Sequence, residues 1–170
     1  MNHSEFDVIK KYFTFSSSRH DVILAGGDDC ACVSVAEDKQ LLITADMLIS
    51  GVHFPEDTSP EDIAYKALMV NLSDLAAMGA KPAWVTLAIS LPEIDESWLQ
   101  LFSNQFSAVL SQYNISLIGG DTTRGPLSIT IQAMGHADCE KILRRDQAEI
   151  NDKIYVTGNI GDAGIGLHAI

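Results

Sequence analysis

The chain has 170 residues, 46% of them apolar and 20% charged, which suffices for one sizeable hydrophobic core and excludes three or more full domains. Lys and Arg number 11 against 23 Asp and Glu, a formal charge of -12, so a broad basic face that gathers nucleic-acid phosphates is excluded. A small anionic substrate fits only where a metal ion or local Arg and Lys mask the acids.

Residues 5–15 place Phe6, Ile9 and Phe13 at helical spacing before the polar Ser16-Ser17-Ser18, which predicts a short amphipathic helix in need of a cover. Residues 21–35 read as a strand, a glycine turn presenting Asp28 and Asp29, and a returning strand with alternating Ala31, Val33 and Val35. Two adjacent carboxylates repel each other unless water, amides or a cation offset them. Residues 40–49 read as a buried strand interrupted by Asp46, an acid that then requires a partner, and residues 51–57 as a loop.

Ser59-Pro60-Glu61-Asp62 combines an N-cap hydroxyl, a proline at the first helical position and an acid at the third. A long helix follows, with a buried stripe of Ile63, Ala67, Val70 and Ala77, a polar side carrying Asn71 and Asp74, and a stop at Gly79 before Lys81-Pro82. Residues 84–91 form a strand. Asp95 caps a second helix whose Trp98, Phe102, Phe106, Val109 and Leu110 recur at helical spacing. Residues 115–126 read as a strand delivering a glycine-rich turn, followed by an alternating strand over 127–134. The polar stretch 137–151 reads as a connector, residues 153–157 as the first strand of a further unit, and a helix begins near the end of the chain.

This order predicts an α+β fold, a mixed or antiparallel sheet with helices on one side. The expected division is a domain over 1–136, a connector over 137–151 and the start of a second domain over 152–170. The longest apolar runs, such as Leu41-Leu42-Ile43, fall far short of the ~20 residues needed to cross a bilayer. Acids stand where a secretory signal carries cations, so a cytoplasmic protein with no membrane partner is expected. Cys30, Cys32 and Cys139 are odd in number and include no CxxC, which predicts buried or spectator thiols rather than a disulfide framework or zinc knuckle. Trp84 and Trp98 read as core or interface anchors.

Acids recur at strand ends or on a helix: Asp28-Asp29, Asp46, Asp74 and Asp121. Either they cap turns and helices, or they converge on a hard divalent ion such as Mg²⁺, which would let them anchor a nucleotide's phosphates. Gly119-Gly120-Asp121-Thr122-Thr123-Arg124-Gly125 is either a plain turn or a phosphate-facing loop, and it lacks the P-loop pattern. His53 reads as an ordinary loop histidine or a ligand contact, with no neighbouring nucleophile to serve. Arg144-Arg145 reads as a solvated pair or a source of positive charge for nucleotide phosphates.

Five ordered blocks carry a resemblance. They are Gly27-Asp28-Asp29-Cys30-Ala31, Gly51-Val52-His53-Phe54, Asp62-Ile63-Ala64-Tyr65-Lys66-Ala67, the stretch from Asn71 to Ala80, and Ile118-Gly119-Gly120-Asp121-Thr122-Thr123-Arg124-Gly125-Pro126. The chain resembles the N-terminal part of the bacterial thiamine-monophosphate kinase family, within the aminoimidazole-ribonucleotide-synthetase-like folds. That resemblance implies ATP and Mg²⁺, phosphorylation of thiamine monophosphate to thiamine diphosphate, and a homodimer formed through N-terminal domains.

It also implies that Asp29, Asp46, Asp74 and Asp121 bind metal, that Gly120 and Asp121 lie in the nucleotide loop, that His53 contacts substrate and that Arg145 reaches nucleotide phosphate. Asp121 and Arg145 would then act in catalysis by charge and position. The family commonly has a hydroxyl residue where Ala45 precedes Asp46, and continues well past this chain's length. A related ATP-dependent synthetase and a non-catalytic, metal-binding dimerisation module are the alternatives.

Overall fold

The computed structural model describes residues 5–169, so His3 and the outermost residues of the expected first and last domains lie outside the described residues. In chain order the elements are α1 (Glu5–Tyr12), β1 (Val22–Leu24), β2 (Cys32–Val33), β3 (Lys39–Ile49), α2 (Pro60–Ala77), β4 (Lys81–Leu91), α3 (Glu96–Tyr113), β5 (Ser116–Arg124), β6 (Ser128–Asp138), a 3₁₀ turn (Cys139–Lys141) and α4 (Asp162–His168). Strands β3 to β6 form a four-stranded sheet in the order β3-β6-β4-β5, and β1 and β2 form a separate antiparallel ribbon. β6 pairs antiparallel with both β3 and β4. β4 and β5 are parallel, joined by the crossover helix α3. The sheet is therefore mixed, as expected.

The two long helices start and stop where local chemistry dictates. The Ser59 hydroxyl accepts the Asp62 N–H at 3.1 Å, and Asp95 accepts the N–H groups of Ser97 and Trp98 at 2.8 and 3.1 Å; each satisfies orphan donors of a first turn. α2 ends before Gly79, which holds φ +71°, and α3 closes on Asn114 in the left-handed region. Both helices pack on one face of the sheet, where Ile63, Ala67, Leu68 and Leu75 meet Val85, Leu87, Ile129 and Ile131 in one core. Phe102 stacks between Trp98 and Phe106 at 5.0 and 5.7 Å and meets the edge of Phe13. Burial of each such side chain stabilises the fold by about 1.5–3 kcal/mol.

Among the described residues, the other face is covered at one end only. There the β1–β2 ribbon lies over Trp84 and Ile118, with Val22, Val33 and Met134 packed around them. Arg19 pins this cover. Its Nε donates to Asp21 Oδ1 at 2.9 Å, a second guanidinium nitrogen bonds Oδ2, and its Nη1 reaches the Asn114 carbonyl at 3.0 Å. Trp84 Nε1 donates to Asp21 Oδ1 at 3.2 Å, which satisfies the one polar atom of a buried indole.

Several expectations are corrected. Residues 40–49 form a strand, but β3 is an edge strand and Leu41, Ile43 and Met47 are exposed on its uncovered face. Asn71 is fully buried in α2, and Ala77 is exposed instead of belonging to the buried stripe. Residues 119–124 are not a turn. β5 continues through both glycines to Arg124, because pairing with β4 outweighs the local turn preference. Residues 153–157 form no strand. Nothing among the described residues pairs with them, and Ile154, Tyr155 and Val156 are exposed. Of the two expectations for the cysteines, burial is corrected: Cys30, Cys32 and Cys139 are free and exposed, which leaves the spectator reading.

Candidate functional site

The sequence-predicted acids fall into two groups at opposite edges of the sheet. Asp46 lies on β3 and Asp121 on β5, the two edge strands. Cross-strand register puts Asp46, Ile131, Leu87 and Gly120 in one row. Three strand spacings separate the ends of that row, about 14 Å.

At the β5 edge, Asp28, Asp29 and Asp121 line a cavity of about 800 Å³ whose floor includes Gly119, Gly120 and Leu117. An apolar part of its lining comes from Phe6 and Ile9 of α1 and from Phe13 just after it, with Lys10 also lining the cavity. The acidic loop is held by its own backbone: Gly27 takes φ +117°, and the Asp29 N–H donates to Asp28 Oδ1 at 2.8 Å. Gly120 has a packing reason to be glycine. At φ +149° a Cβ would stand 1.8 Å from the Leu87 carbonyl oxygen, so any side chain would force β5 off β4.

At the β3 edge, Asp46 and Asp74 line a second cavity of about 510 Å³ with Tyr65, Lys66, Met69, Val70 and Ser73 of α2. The Thr44 hydroxyl, two residues before Asp46 and so on the same face of β3, donates to Asp74 Oδ2 at 2.8 Å. The hydroxyl of this edge thus comes from Thr44, one position before Ala45. Next to this cavity the loop after β3 is closed by hydrogen bonds from the Val52 and His53 N–H groups to the Ile49 carbonyl at 3.1 and 2.9 Å. The Ile49 N–H donates to His53 Nδ1 at 3.1 Å.

Arg145 is exposed beyond the 3₁₀ turn and lines neither cavity, while its neighbour Arg144 pairs with Asp146 at 2.7 Å. Asn71 fills no polar surface. Its Nδ2 donates to the Ala67 carbonyl at 3.1 Å, and its Oδ1 is buried without a partner among the described residues.

Carboxylates and a hydroxyl are hard oxygen donors of the kind that hold Mg²⁺. Among the described residues, however, no group of three or more His, Cys, Asp or Glu side chains gathers closely enough to hold a metal ion. Each edge offers part of a donor set that would be completed by ligand oxygens, water or a second copy of the chain. Thr44, Lys66 and the α1 wall are the residues that sequence reasoning missed. The period of two linking Thr44 to Asp46, and the helical spacing of Lys66, Val70, Ser73 and Asp74, are the signals that point to the second cavity.

The fold and the sequence have a match. The model of the AIR synthase related protein N-terminal domain covers residues 27–137, and the chain belongs to that family. Within it, the chain is 53% identical to a thiamine-monophosphate kinase of Salmonella typhimurium over 96% of its own length and 50% of the relative's. It is 52% identical to that of Haemophilus influenzae over 98% and 51%. The crystal structure of thiamine-monophosphate kinase from Stenotrophomonas maltophilia superposes with a TM-score of 0.83 at 53% identity, over 89% of this chain and 48% of that one. A second structure, described as AaThiL complexed with AMPPCP and TMP, gives a TM-score of 0.74 at 31% identity over 96% and 50%. The resemblance read from the five motif blocks therefore holds, and the chain spans about half the length of the relatives it matches. Among the described residues, no helix is long and apolar enough to cross a membrane.

Proposed function

We propose that this chain is the nucleotide- and metal-binding part of a cytoplasmic, Mg²⁺-dependent kinase that transfers the terminal phosphoryl group of ATP to thiamine monophosphate. One observation carries the reading: Asp28, Asp29 and Asp121 line one cavity and Asp46 and Asp74 another, at the two edges of the sheet, in a chain 53% identical to a thiamine-monophosphate kinase. In this reading Asp29 and Asp121 hold metal at one edge, Asp46 and Asp74 at the other, and Gly120 and Asp121 face the nucleotide. His53 contacts the acceptor, and Arg145 swings to the nucleotide phosphates with the segment that carries it.

Bound Mg²⁺ would neutralise phosphate charge and so permit two anions to approach. The chain's own residues place the partners. The α1 wall and glycine strand bound one side of the nucleotide cavity, Thr44 fixes the Asp74 carboxylate, and the closed loop after β3 fixes His53. The acceptor is already a nucleophilic oxyanion, so position and charge suffice and no side chain needs to form a covalent intermediate.

Homodimerisation completes the proposal. The exposed apolar face of β3, with Leu41, Ile43 and Met47, would pair with the sheet of a second copy and bring the edge acids of one protomer toward those of the other. The division into a domain over 1–136, a connector and the start of a second domain belongs to the same reading.

The test is an assay of the chain alone and of the chain extended by the C-terminal half of the Salmonella typhimurium relative, with ATP, Mg²⁺ and thiamine monophosphate, reading product by mass. Thiamine diphosphate from the extended form, reduced at least 100-fold by Asp121→Asn, is expected. This rests on the scale of a lost electrostatic contact in catalysis, about 10²–10³. ATP turnover only with another acceptor would favour a related synthetase. Metal-dependent association without any turnover would leave a dimerisation module.

A further inference from the structure

We propose that Lys66 and His53 form a two-donor clamp for the phosphate monoester of the acceptor, with Lys66 supplying the cation and holding the loop that carries His53. The inference rests on the kinase reading and adds to it a residue, Lys66, and a defined hydrogen-bonding state for His53.

His53 is set as a donor by the backbone. Its Nδ1 accepts the Ile49 N–H at 3.1 Å, so the neutral ring carries its proton on Nε2. The backbone around the ring is fixed as well: Gly51 N–H donates to the Phe54 carbonyl at 2.9 Å, Phe54 is buried, and the Val52 and His53 N–H groups close on Ile49. The outward nitrogen therefore offers a hydrogen to an anionic oxygen, which is what a phosphate requires and what a general base could not give.

Lys66 joins this loop to the β3-edge cavity. Its ammonium donates to the His53 carbonyl, and the same side chain lines the cavity with Asp46 and Asp74, where it is the sole cation among the lining residues. One of its three N–H bonds is used on the carbonyl; the described residues place no carboxylate within ion-pair distance of it. Its charge thus belongs to a cavity that two carboxylates also line, with neither in a direct pair with it among the described residues. A phosphate monoester approaching the acids of that cavity meets repulsion that the Lys66 ammonium in its lining, with the imidazole N–H of the adjoining loop that Lys66 holds, would counter.

Two measurements test this independently. Inorganic phosphate titrated into the chain, followed by the ring ¹⁵N and ¹H resonances of His53, should shift the Nε2 signal, and Lys66→Met should weaken that response about 10-fold or more while Lys66→Arg retains part of it. In the extended enzyme, Lys66→Met should raise the KM for thiamine monophosphate on the order of 10–100-fold, with the KM for ATP within about twofold. A merely structural lysine would move both constants together or neither, and either result overturns the clamp. So does a phosphate response equal in the wild type and the Met variant, or absent from both. If the Met variant is unfolded by its amide spectrum, Lys66→Gln carries the same comparison. Should the extended wild-type enzyme make no thiamine diphosphate, the kinase reading falls while the phosphate titration still decides the clamp.

Discussion

The two faces of the four-stranded sheet are built on different rules. On the helix side Val85, Leu87, Ile89, Ile129, Ile131 and Ala133 are all at most 4% exposed, under α2 and α3. On the other side only the end beneath the β1–β2 ribbon is covered, and Ile43 and Met47 stand 56% and 55% exposed on β3. The open face of β3 carries Leu41, Ile43, Ala45 and Met47, while Thr44 and Asp46 turn to the other side, and an apolar sheet face is left open in a single chain where something else lies on it. Stability should accordingly concentrate on the first face and association on the second.

The largest effect expected is on the covered face. Phe102→Ala removes a ring that is fully buried and stacked between Trp98 and Phe106, and should cost about 3–5 kcal/mol in urea unfolding. An equal loss from Ile43→Thr, on the open face, would break the comparison, because an exposed position outside special geometry moves stability by no more than about 0.5 kcal/mol.

The covered face was also the legible one. Ser59 and Asp95 announce their helices by cap chemistry, and Trp98, Phe102 and Phe106 announce a buried stripe by spacing alone. The open face and the edges were not legible, for reasons of pairing. Gly119-Gly120 carries a strong local turn signal, yet β4 lies so close that only glycine fits at Gly120. Asp46 and Asp121 sit in similar local patterns, and nothing local says that the strand order β3-β6-β4-β5 sends them to opposite edges. Residues 153–157 have the composition of a strand but no neighbour to pair with among the described residues, and a strand is a property of two segments. Lys66 escaped notice because on a helix surface a lysine is ordinary; only its contact with the His53 carbonyl marks it out.

Gly120→Ala comes next in size and probes the edge where the two faces meet. With a Cβ placed 1.8 Å from the Leu87 oxygen, β5 must shift away from β4, at a cost of about 1–3 kcal/mol. Asp121 moves with it. Amide exchange should speed up along β5 and its partner β4 while β3 and β6 keep their protection, and unchanged protection of β5 would remove the packing account of this glycine.

The smallest effect sharpens the comparison within the second face, where a polar anchor does the work that helices do on the first. His136 lies 6.3 Å from the Trp84 ring. Burial holds its pKa below 6.5, with the charges of Arg19, Lys81 and Lys39 acting in the same direction against Asp21. The unfolded imidazole therefore takes up a proton before the folded one. The stability this contributes is complete above about pH 6.5 and is lost as pH falls through the lower folded value. Asp21 behaves in the opposite chemical sense but with the same direction of loss. Burial alone would raise its carboxyl, yet the hydrogen bonds and charge of Arg19, helped by the Trp84 N–H, bring it below 3.8, so its contribution is present above that value and disappears below it. Urea midpoints between pH 8 and 3 should then fall in two separate steps. His136→Gln should erase the first and leave the second; persistence of the first step in that variant would take it away from His136, and absence of the second from the unmutated chain would mean that the ribbon is held on the open face by packing alone, as the helices are on theirs.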